Sequence, residues 1–207
     1  MATLCIYCGS NVGSDPRFLE VARLVGKTLA KKNHTLVYGG GKVGLMGVVA
    51  DEALAAGGKV IGVIPELFIQ EEQEVAHRGL TELHVVDSMH ERKHKMASLA
   101  DGFLALPGGI GTLEEIIEAF TWTQLGIHPK PCALLNVNGF YNSLVTLLIE
   151  MKEKGFLHHD QLSQLIIEED PETAIEYLLS PDISPYAKKI AKFCRQAAKI
   201  GFVTKQP

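Results

Sequence analysis

Short apolar runs alternate with amphipathic segments along most of the 207-residue chain. Apolar runs bounded by glycine, proline or polar residues are typical of buried strands, and apolar residues recurring every three or four positions are typical of helices. The alternation predicts an α/β fold, a doubly wound parallel sheet with helices on both faces. The predicted strands span 4–7, 35–38, 59–64, 82–86, 102–106, 132–135 and, with a weaker pattern, 165–167. The predicted helices span 16–32, 44–56, 89–100, 113–125, 141–154 and 171–179.

Three glycine-bearing loops follow predicted strands of this sheet. They are Gly9-Ser10, Gly39–Gly47 and Pro107–Thr112. In Rossmann-like sheets, ligands bind beyond the carboxyl ends of the strands, where the connecting loops gather. We therefore expect these three loops to lie at a ligand site.

The stretch from Pro107 to Glu115 joins an apolar strand to a helix through three glycines. Glycines allow the backbone to approach an anion closely, and the N–H groups and positive dipole of a helix start favour a bound phosphate. Glu114 and Glu115 would repel that phosphate if anion binding were the only task, which indicates chemistry on the sugar beside it. Alternatively, Thr112 and Glu115 form a capping box, which stabilises a helix without any function.

The second loop contains Gly39-Gly40-Gly41-Lys42-Val43-Gly44, a match to the dinucleotide-binding pattern G-x-G-x-x-G. That pattern also needs an acidic partner for the ribose about 20 residues later, at the end of the next strand. Glu66 is only a loose candidate for that partner. We therefore favour glycines required for a tight turn and close helix packing, and expect no cofactor.

The predicted helix from Met89 places two cations on its inward stripe. At 100° per residue this stripe consists of Met89, Arg92, Lys93, Met96, Leu99 and Ala100. Buried cations need partners, and a cleft with a phosphate or carboxylate would satisfy both of them. A structural ion pair for Arg92 and solvent exposure of the Lys93 ammonium are the alternatives.

The same helix contains His90-Glu91-Arg92-Lys93-His94, which matches the zinc metalloprotease pattern H-E-x-x-H. The two histidines share a face that continues through Ala97 and Asp101, away from the apolar stripe. Two cations between them would also oppose a dication. We expect surface histidines and no metal site.

The helix that carries Glu115 is apolar on more than one side. Leu113, Ile116, Ile117 and Phe120 form one stripe, and Ala119 and Trp122 extend a second face. The second face either contacts another subunit or packs under a loop of the same chain.

Composition indicates a soluble globular protein, with 46% hydrophobic residues, 21% charged residues and a net charge of −4. The chain enters a predicted strand at once, and no apolar run approaches the length of a membrane span, so we expect a cytoplasmic protein. Cys5 and Cys8 have C-x-x-C spacing, but within a strand, where they point to opposite faces. We expect these two and the other two cysteines, Cys132 and Cys194, to be reduced packing residues.

Four blocks in chain order resemble the Lonely Guy family of cytokinin-activating phosphoribohydrolases, whose members are often labelled lysine decarboxylases. They are Gly39-Gly40-Gly41 with Gly44-Leu45-Met46-Gly47, then Met89-His90-x-Arg92-Lys93, then Pro107-Gly108-Gly109-x-Gly111-Thr112-x-x-Glu115, then Thr121-Trp122-x-Gln124-Leu125-Gly126-Ile127-His128. The resemblance runs from about residue 4 to 148. It implies hydrolysis of the N-glycosidic bond of a purine riboside 5′-monophosphate, with adenine or an N6-modified adenine as the base, giving free base and ribose 5-phosphate.

Position by position, the resemblance implies that Arg92 and Glu115 are the catalytic pair and that the protein is a homodimer with sites near its interface. The implied substrate contacts are Gly9, Ser10, Glu74, Met89, Lys93, Gly108, Gly109, Ile110, Gly111, Thr112 and Thr121. The chemistry agrees, because cleaving a ribosyl C–N bond builds positive charge on the sugar, which a carboxylate stabilises, and negative charge on the departing base.

Two other classes of function remain open. A carrier of a nucleotide or cofactor would keep the glycine loops and bind without turnover. A pyridoxal-dependent decarboxylase would need a Schiff-base lysine, for which Lys93 is the only well-placed candidate.

We expect residues 1–180 to form one domain and residues 181–207 to form a basic tail. The tail has six Lys or Arg against one Asp, a net charge of +5, which invites a nucleic-acid or membrane interpretation. However, its apolar residues Tyr186, Ile190, Phe193, Cys194, Ala197 and Ile200 recur at helical spacing. We therefore expect an amphipathic helix packed on the domain, with no nucleic-acid or membrane partner.

Overall fold

A computed structural model describes residues 1–70 and 76–180 of the chain. Within these residues a single sheet has seven strands, all parallel, in the order β4-β3-β2-β1-β5-β6-β7. The strands are β1 (Thr3–Tyr7), β2 (Thr35–Tyr38), β3 (Val60–Pro65), β4 (Glu82–Val86), β5 (Gly102–Ala105), β6 (Cys132–Leu135) and β7 (Leu165–Glu168). The predicted α/β class and the predicted strands are confirmed, with end points shifted by one residue at most.

Helices connect successive strands. They are α1 (Pro16–Lys31), α2 (Gly44–Ala55), α3 (Glu66–Gln70), α4 (Met89–Leu99), α5 (Ile110–Gln124), α6 (Asn142–Glu153), α7 (His159–Leu162) and α8 (Pro171–Leu178). The short helices α3 and α7 and a 3₁₀ turn at Val137–Gly139 were not predicted, because segments of three to five residues show no clear period. No helix in the described part of the chain combines the length and the apolar character needed to span a bilayer.

Two apolar clusters cover the two faces of the sheet, as a doubly wound fold requires. One contains side chains of α1, α2 and α8, and the other contains side chains of α4, α5 and α6. Cys8 belongs to the first cluster and Cys5 to the second, so their predicted placement on opposite faces is confirmed. Both are free thiols, as is Cys132, whereas Cys194 lies outside the described residues.

The chain order reverses at β1, because β2, β3 and β4 extend to one side and β5, β6 and β7 to the other. Connections that leave adjacent strands in opposite directions open a crevice at the carboxyl edge of the sheet, and doubly wound proteins bind ligands there. The loops after β1 and β5 border this crevice, since the Gly9 N–H donates to the Pro107 carbonyl at 3.2 Å.

The structure corrects one predicted helix face and favours one of the two alternatives left open for another. Ala97, which the helical projection placed on the face of His90 and His94, is buried, although both histidines are exposed as expected. Ala119 is buried in this chain, and Trp122 packs edge-to-face on His128 at a centroid distance of 6.1 Å. The second apolar face of α5 is thus covered largely by its own chain rather than left free for a subunit.

Tyr141 fixes the chain just before the Pro107 loop. Its side chain is buried and its hydroxyl donates to the Leu106 carbonyl at 2.6 Å. Burial raises the pKa of the Tyr141 hydroxyl well above its ordinary value, so the proton stays on the hydroxyl as a donor at neutral pH. The Leu106 N–H donates to the Tyr7 carbonyl, so this segment is tied to both β1 and the start of α6.

We expect Tyr141→Phe to lower the free energy of unfolding by about 0.5–1.5 kcal/mol, the typical contribution of one hydrogen bond. The ring would still fill its site, so the loss should come from the Leu106 carbonyl alone. Thermal unfolding measures this as a fall in Tm of a few degrees. An unchanged Tm for Tyr141→Phe would show that the hydrogen bond does not hold the loop.

Candidate active site at the β1–β5 crevice

Backbone contacts bring the three predicted glycine loops together at the carboxyl edge of the sheet. The Gly9 carbonyl accepts from the Leu45 N–H at 3.0 Å, which joins the loop after β1 to the start of α2. Gly44 has φ +59°, and a Cβ there would lie 2.2 Å from the Ser10 carbonyl carbon, so only glycine permits this approach. The expectation that these loops gather at one place is confirmed.

The helix α5 begins at Ile110, three residues before the predicted start. Its N-cap is Gly109, which has extended backbone and no side chain to offer, so the predicted alternative of a Thr112 capping box is wrong. Thr112 is instead buried in the first turn, and its Oγ1 would lie 2.2 Å from a Cβ at Gly108. In contrast, α1, α4 and α8 begin with side-chain caps from Asp15, Ser88 and Asp170.

The first turn of α5 is therefore open to a ligand. Among the described residues, no hydrogen-bond acceptor faces the backbone N–H groups of Ile110, Gly111 and Thr112. A Cβ added at Gly109 or Gly111 would meet nothing within 4 Å, so there is free space over the turn. Unpaired N–H groups at the positive end of a helix dipole form an anion site.

A cavity of about 310 Å³ lies over this turn. The predicted site residues that line it are Gly9, Ser10, Met89, Arg92, Gly109, Ile110, Gly111, Thr112 and Glu115. Glu114, which the sequence placed beside the predicted phosphate, lines it as well, as do Cys8, Met46 and Phe68, which the sequence analysis did not assign to the site. For Phe68 no signal was available, because it lies on the short helix α3, which the pattern does not reveal.

Arg92 is buried and points into the cavity from α4. Its Nη2 donates to the Gly39 carbonyl at 2.7 Å, and its Nη1 lies 3.7 Å from the Met89 sulfur. The guanidinium carbon is 5.9 Å from the centroid of the Phe68 ring, within cation–π range. A backbone carbonyl and an aromatic ring thus orient one edge of the planar cation.

Glu115 also lines the cavity, from the second turn of α5, and is partly buried. Burial raises the pKa of the buried Cys8 thiol, and the negative charge of Glu115 raises it further. At Cys5, where burial also raises the pKa, Glu115 adds to the increase and Arg92 opposes it. Opposite charges therefore act together at the end of β1, beside the first turn of α5.

Lys93 does not line the cavity. Its ammonium binds Glu114, and also Glu118 at 3.1 Å, so its cationic charge is satisfied by carboxylates of α5. Burial lowers the pKa of Lys93, but the two carboxylates together outweigh burial and raise the pKa above its ordinary value. The carboxylates that satisfy Lys93 are those of this chain, and its predicted contact with substrate stays a prediction.

Two predicted contacts lie away from the wall of this cavity, and a third lies outside the described residues. Thr121 is exposed two turns beyond the first turn of α5, and its hydroxyl donates to the Ile117 carbonyl at 2.7 Å. Gly108 lines an adjoining cavity of about 270 Å³, which shares Gly9, Ser10 and Gly109 with the first. Glu74 lies in residues 71–75, outside the described part of the chain.

The described residues give no support to metal or Schiff-base chemistry. Within residues 1–70 and 76–180 there is no group of three or more His, Cys, Asp or Glu side chains that could hold a metal ion. Lys93, the candidate for a Schiff base, is a cation held by two carboxylates, whereas a Schiff-base lysine must be able to lose its proton.

Comparison with known proteins agrees with the motifs. A family model described as "Possible lysine decarboxylase" matches residues 46–178. A cytokinin riboside 5′-monophosphate phosphoribohydrolase of Rhodococcoides fascians is 46% identical over 86% of this chain and 90% of the relative. The chain belongs to the Lonely Guy family. An Arabidopsis thaliana family member with the same enzyme name is 47% identical over 74% of this chain and 70% of its own length.

Solved structures of other proteins are similar to this Lonely Guy family chain in fold. The molybdenum cofactor carrier protein of Chlamydomonas reinhardtii superimposes with a TM-score of 0.65 at 20% identity, covering 86% of this chain and 98% of the carrier. A molybdenum cofactor binding protein of Rippkaea orientalis gives a TM-score of 0.64 at 22% identity, covering 86% and 95%. Proteins with different names thus share this fold, so the function has to be inferred from the residues of the site.

We expect Lys93→Met to lower the free energy of unfolding by about 1–3 kcal/mol, because it removes the cation between Glu114 and Glu118. Because the folded-state pKa of Lys93 is raised above 10.5, this contribution is fully present below pH 10.5 and is lost only as pH rises through the folded-state pKa. The destabilisation should therefore be the same at pH 7 and pH 9.

Chemical denaturation measures the effect, and Lys95→Met, a half-exposed lysine on the same helix, is the matched control. Adding Glu114→Gln and Glu118→Gln to Lys93→Met should recover part of the loss, because the carboxylates then no longer need a cation. Equal stability of Lys93→Met and Lys95→Met would contradict the structural role of this ion pair.

Proposed function

We propose that the protein hydrolyses the N-glycosidic bond of a purine riboside 5′-monophosphate, with adenine or an N6-modified adenine as the base. The products are the free base and ribose 5-phosphate. The observation that carries the proposal is the uncapped first turn of α5, with Glu115 one turn further along and Arg92 across the same cavity. Membership of the Lonely Guy family supports the same reaction, since the similar relatives carry that enzyme name.

In this proposal the first turn of α5 binds the 5′-phosphate through the N–H groups of Ile110, Gly111 and Thr112. An anion at a helix N-terminus accepts several backbone hydrogen bonds and interacts favourably with the dipole. The phosphate fixes the nucleotide so that its ribose lies beside Glu115, and orientation of this kind supplies a large part of many rate enhancements. Gly9, Ser10, Gly108, Gly109 and Met89 form the surrounding wall.

Glu115 is the catalytic carboxylate in this mechanism. As the bond between C1′ and the base nitrogen breaks, its electron pair leaves with the purine and C1′ becomes cationic. The Glu115 carboxylate stabilises this cation and takes a proton from the water whose oxygen adds to C1′. Arg92 donates a hydrogen bond to the departing base. The base takes a proton from solvent, and Glu115 returns to solvent the proton it took from water, so the water is divided between ribose 5-phosphate and the base.

The ion pairs of α5 separate the roles of its acidic residues. Lys93 compensates the charges of Glu114 and Glu118, which reduces their repulsion of a phosphate at the first turn. Because the Lys93 ammonium is engaged there, we propose that its contribution to substrate binding is through this neutralisation. Thr121, at the exposed surface of α5, and Glu74 remain proposed contacts from family resemblance.

The size of the site favours a mononucleotide over a dinucleotide cofactor. The cavity of about 310 Å³ is at the lower end of the range for small-molecule sites. The glycine-rich loop after β2 contacts Arg92, whose Nη2 donates to the Gly39 carbonyl. A carrier function is the alternative, and a carrier has no need of a carboxylate placed opposite an arginine beside the anion site.

We expect Glu115→Gln to lower turnover at least about 10²-fold while nucleotide binding is retained, because the amide keeps the shape and loses the charge. Release of base from AMP and from isopentenyladenosine monophosphate, measured side by side, gives both the activity and the preferred base. Calorimetric titration with AMP gives the binding.

Glu172→Gln is the matched control, since Glu172 is an exposed acid in the first turn of α8. The control should keep wild-type turnover. If the wild-type protein binds AMP and releases no base from either nucleotide, the carrier function is correct and hydrolysis is wrong. If Glu115→Gln keeps activity within about threefold, Glu115 is not the catalytic carboxylate.

We further propose a homodimer, located in the cytoplasm, with the active sites near the interface. Support comes from three exposed apolar side chains on α5 and the loop after it, Ile110 at the rim of the cavity, Leu125 and Ile127, which are 81%, 69% and 64% exposed. A second subunit over this surface would bury them and narrow the mouth of the cavity. Trp122 is a poorer probe, because it packs within its own chain.

We expect Leu125→Lys/Ile127→Lys to shift the protein from dimer to monomer, because two cations would have to be buried in the contact. Sedimentation velocity at micromolar concentration measures this. Leu147→Lys on α6, also exposed, is the control and should remain dimeric. Monomeric wild-type protein, or a dimer unchanged by the double substitution, would contradict this interface.

A further inference from the structure

The glycine-rich loop after β2 has no assigned role in the proposed reaction. We propose that Gly39 positions Arg92, because its carbonyl binds the guanidinium and its missing side chain leaves the space the guanidinium occupies. The inference rests on the proposed function of Arg92. It also explains why a G-x-G-x-x-G pattern occurs in a chain whose phosphate site lies elsewhere.

The contact between Gly39 and Arg92 is too close for any side chain at position 39. A Cβ built on Gly39 would lie 2.0 Å from Nη2 of Arg92 and 3.0 Å from its Cζ. Real Cβ atoms do not approach other heavy atoms below about 3 Å, so one of the two partners has to move. Gly39 is not among the glycines with positive φ, and the three atoms nearest to its added Cβ all belong to Arg92.

The backbone on either side of the Gly39–Arg92 contact is restrained by packing and by hydrogen bonds to neighbouring segments. Gly40 has φ +78° and packs against β3, where a Cβ would lie 3.2 Å from the Cβ of Ile64. Its carbonyl accepts from the His77 N–H at 3.0 Å, and Gly41 forms a bridge with Ala76. Gly40 and Gly41, which follow Gly39, are therefore fixed between β3 and a second segment of backbone.

That second segment is fixed in its turn by a buried histidine. The Nε2 atom of His77 lies 2.9 Å from Oδ1 of Asp51 on α2, and its Nδ1 lies 2.9 Å from the Arg78 carbonyl. The histidine joins residues 76–78 to α2 and restrains the glycine loop from the outside.

Because these contacts prevent the loop from moving, a methyl group at position 39 should displace the Arg92 guanidinium instead. Arg92 would lose the 2.7 Å hydrogen bond to the Gly39 carbonyl and its position over Phe68. The charge would stay in the cavity, but its donors would no longer point at the departing base. A misplacement of about 1 Å at a catalytic group costs roughly 10²-fold in rate.

The test compares Gly39→Ala, Arg92→Ala and the double variant in kcat and KM for AMP. We expect Gly39→Ala to lower kcat by about 10- to 100-fold with a smaller change in KM, because the guanidinium acts on the leaving group in the transition state. Added to Arg92→Ala, it should cost nothing further, since no guanidinium remains to be displaced. A purely structural glycine would instead cause the same additional loss in both backgrounds.

Gly102→Ala is the matched control. This glycine lies in β5 of the same sheet, and its added Cβ would meet Leu4 and Pro131 at 3.2 Å or more, with no contact to Arg92. It should lower Tm without a change in kcat of the folded protein. If wild type and control are active and Arg92→Ala is not, while Gly39→Ala turns over at the wild-type rate, the positioning role is wrong and the proposed function stands. If wild type releases no base, the proposed function itself has failed.

Discussion

The first turn of α5 imposes the constraint on which the rest of the site depends. A helix that begins at Gly109 with no side-chain cap leaves backbone donors at its positive end unsatisfied within the described chain. Because Ile110 and Gly111 are exposed, their N–H groups can donate to water or to an anion, and we propose that a phosphate binds there. The crossing at β1 and β5 places this turn in the crevice, and the Gly9–Pro107 and Tyr141–Leu106 hydrogen bonds keep it there.

An anion site with carboxylates beside it is stable only if the charges are separated by role. Lys93 binds Glu114 and Glu118, while Glu115 lines the same cavity as Arg92. The helix can then attract a phosphate at its first turn and still present one carboxylate to the sugar. The sequence neighbours Glu114 and Glu115 thus have different tasks, because 100° of helix rotation separates them.

Much of this arrangement was predictable from the sequence, because it depends on local pattern. Alternating apolar runs predict the parallel sheet, and the glycines of residues 107–111 predict the loop into α5. The helix start was misplaced by three residues because Thr112 and Glu115 have capping-box spacing, and spacing alone does not reveal that the Thr112 side chain is buried. A local pattern predicts least reliably where the same residue, such as Thr112, fits both a helix cap and a buried position.

The sequence did not predict contacts between residues that are far apart along the chain. The partners of Lys93 lie 21 and 25 residues away, and the Gly39 carbonyl lies 53 residues from Arg92. Helical periodicity places Arg92 and Lys93 on one buried stripe, yet only the packing of α4 between the loop after β2 and α5 sends one cation into the cavity and the other to α5. The burial of Trp122 by its own chain depends on packing in the same way.

A crystal structure of the Glu115→Gln variant with AMP would test the central claim most directly, because this variant should hold an uncleaved nucleotide. The account predicts the phosphate within hydrogen-bond distance of the N–H groups of Ile110, Gly111 and Thr112, the ribose C1′ beside residue 115, and the base within reach of Arg92. A phosphate bound away from the first turn of α5, or a ribose remote from residue 115, would contradict it.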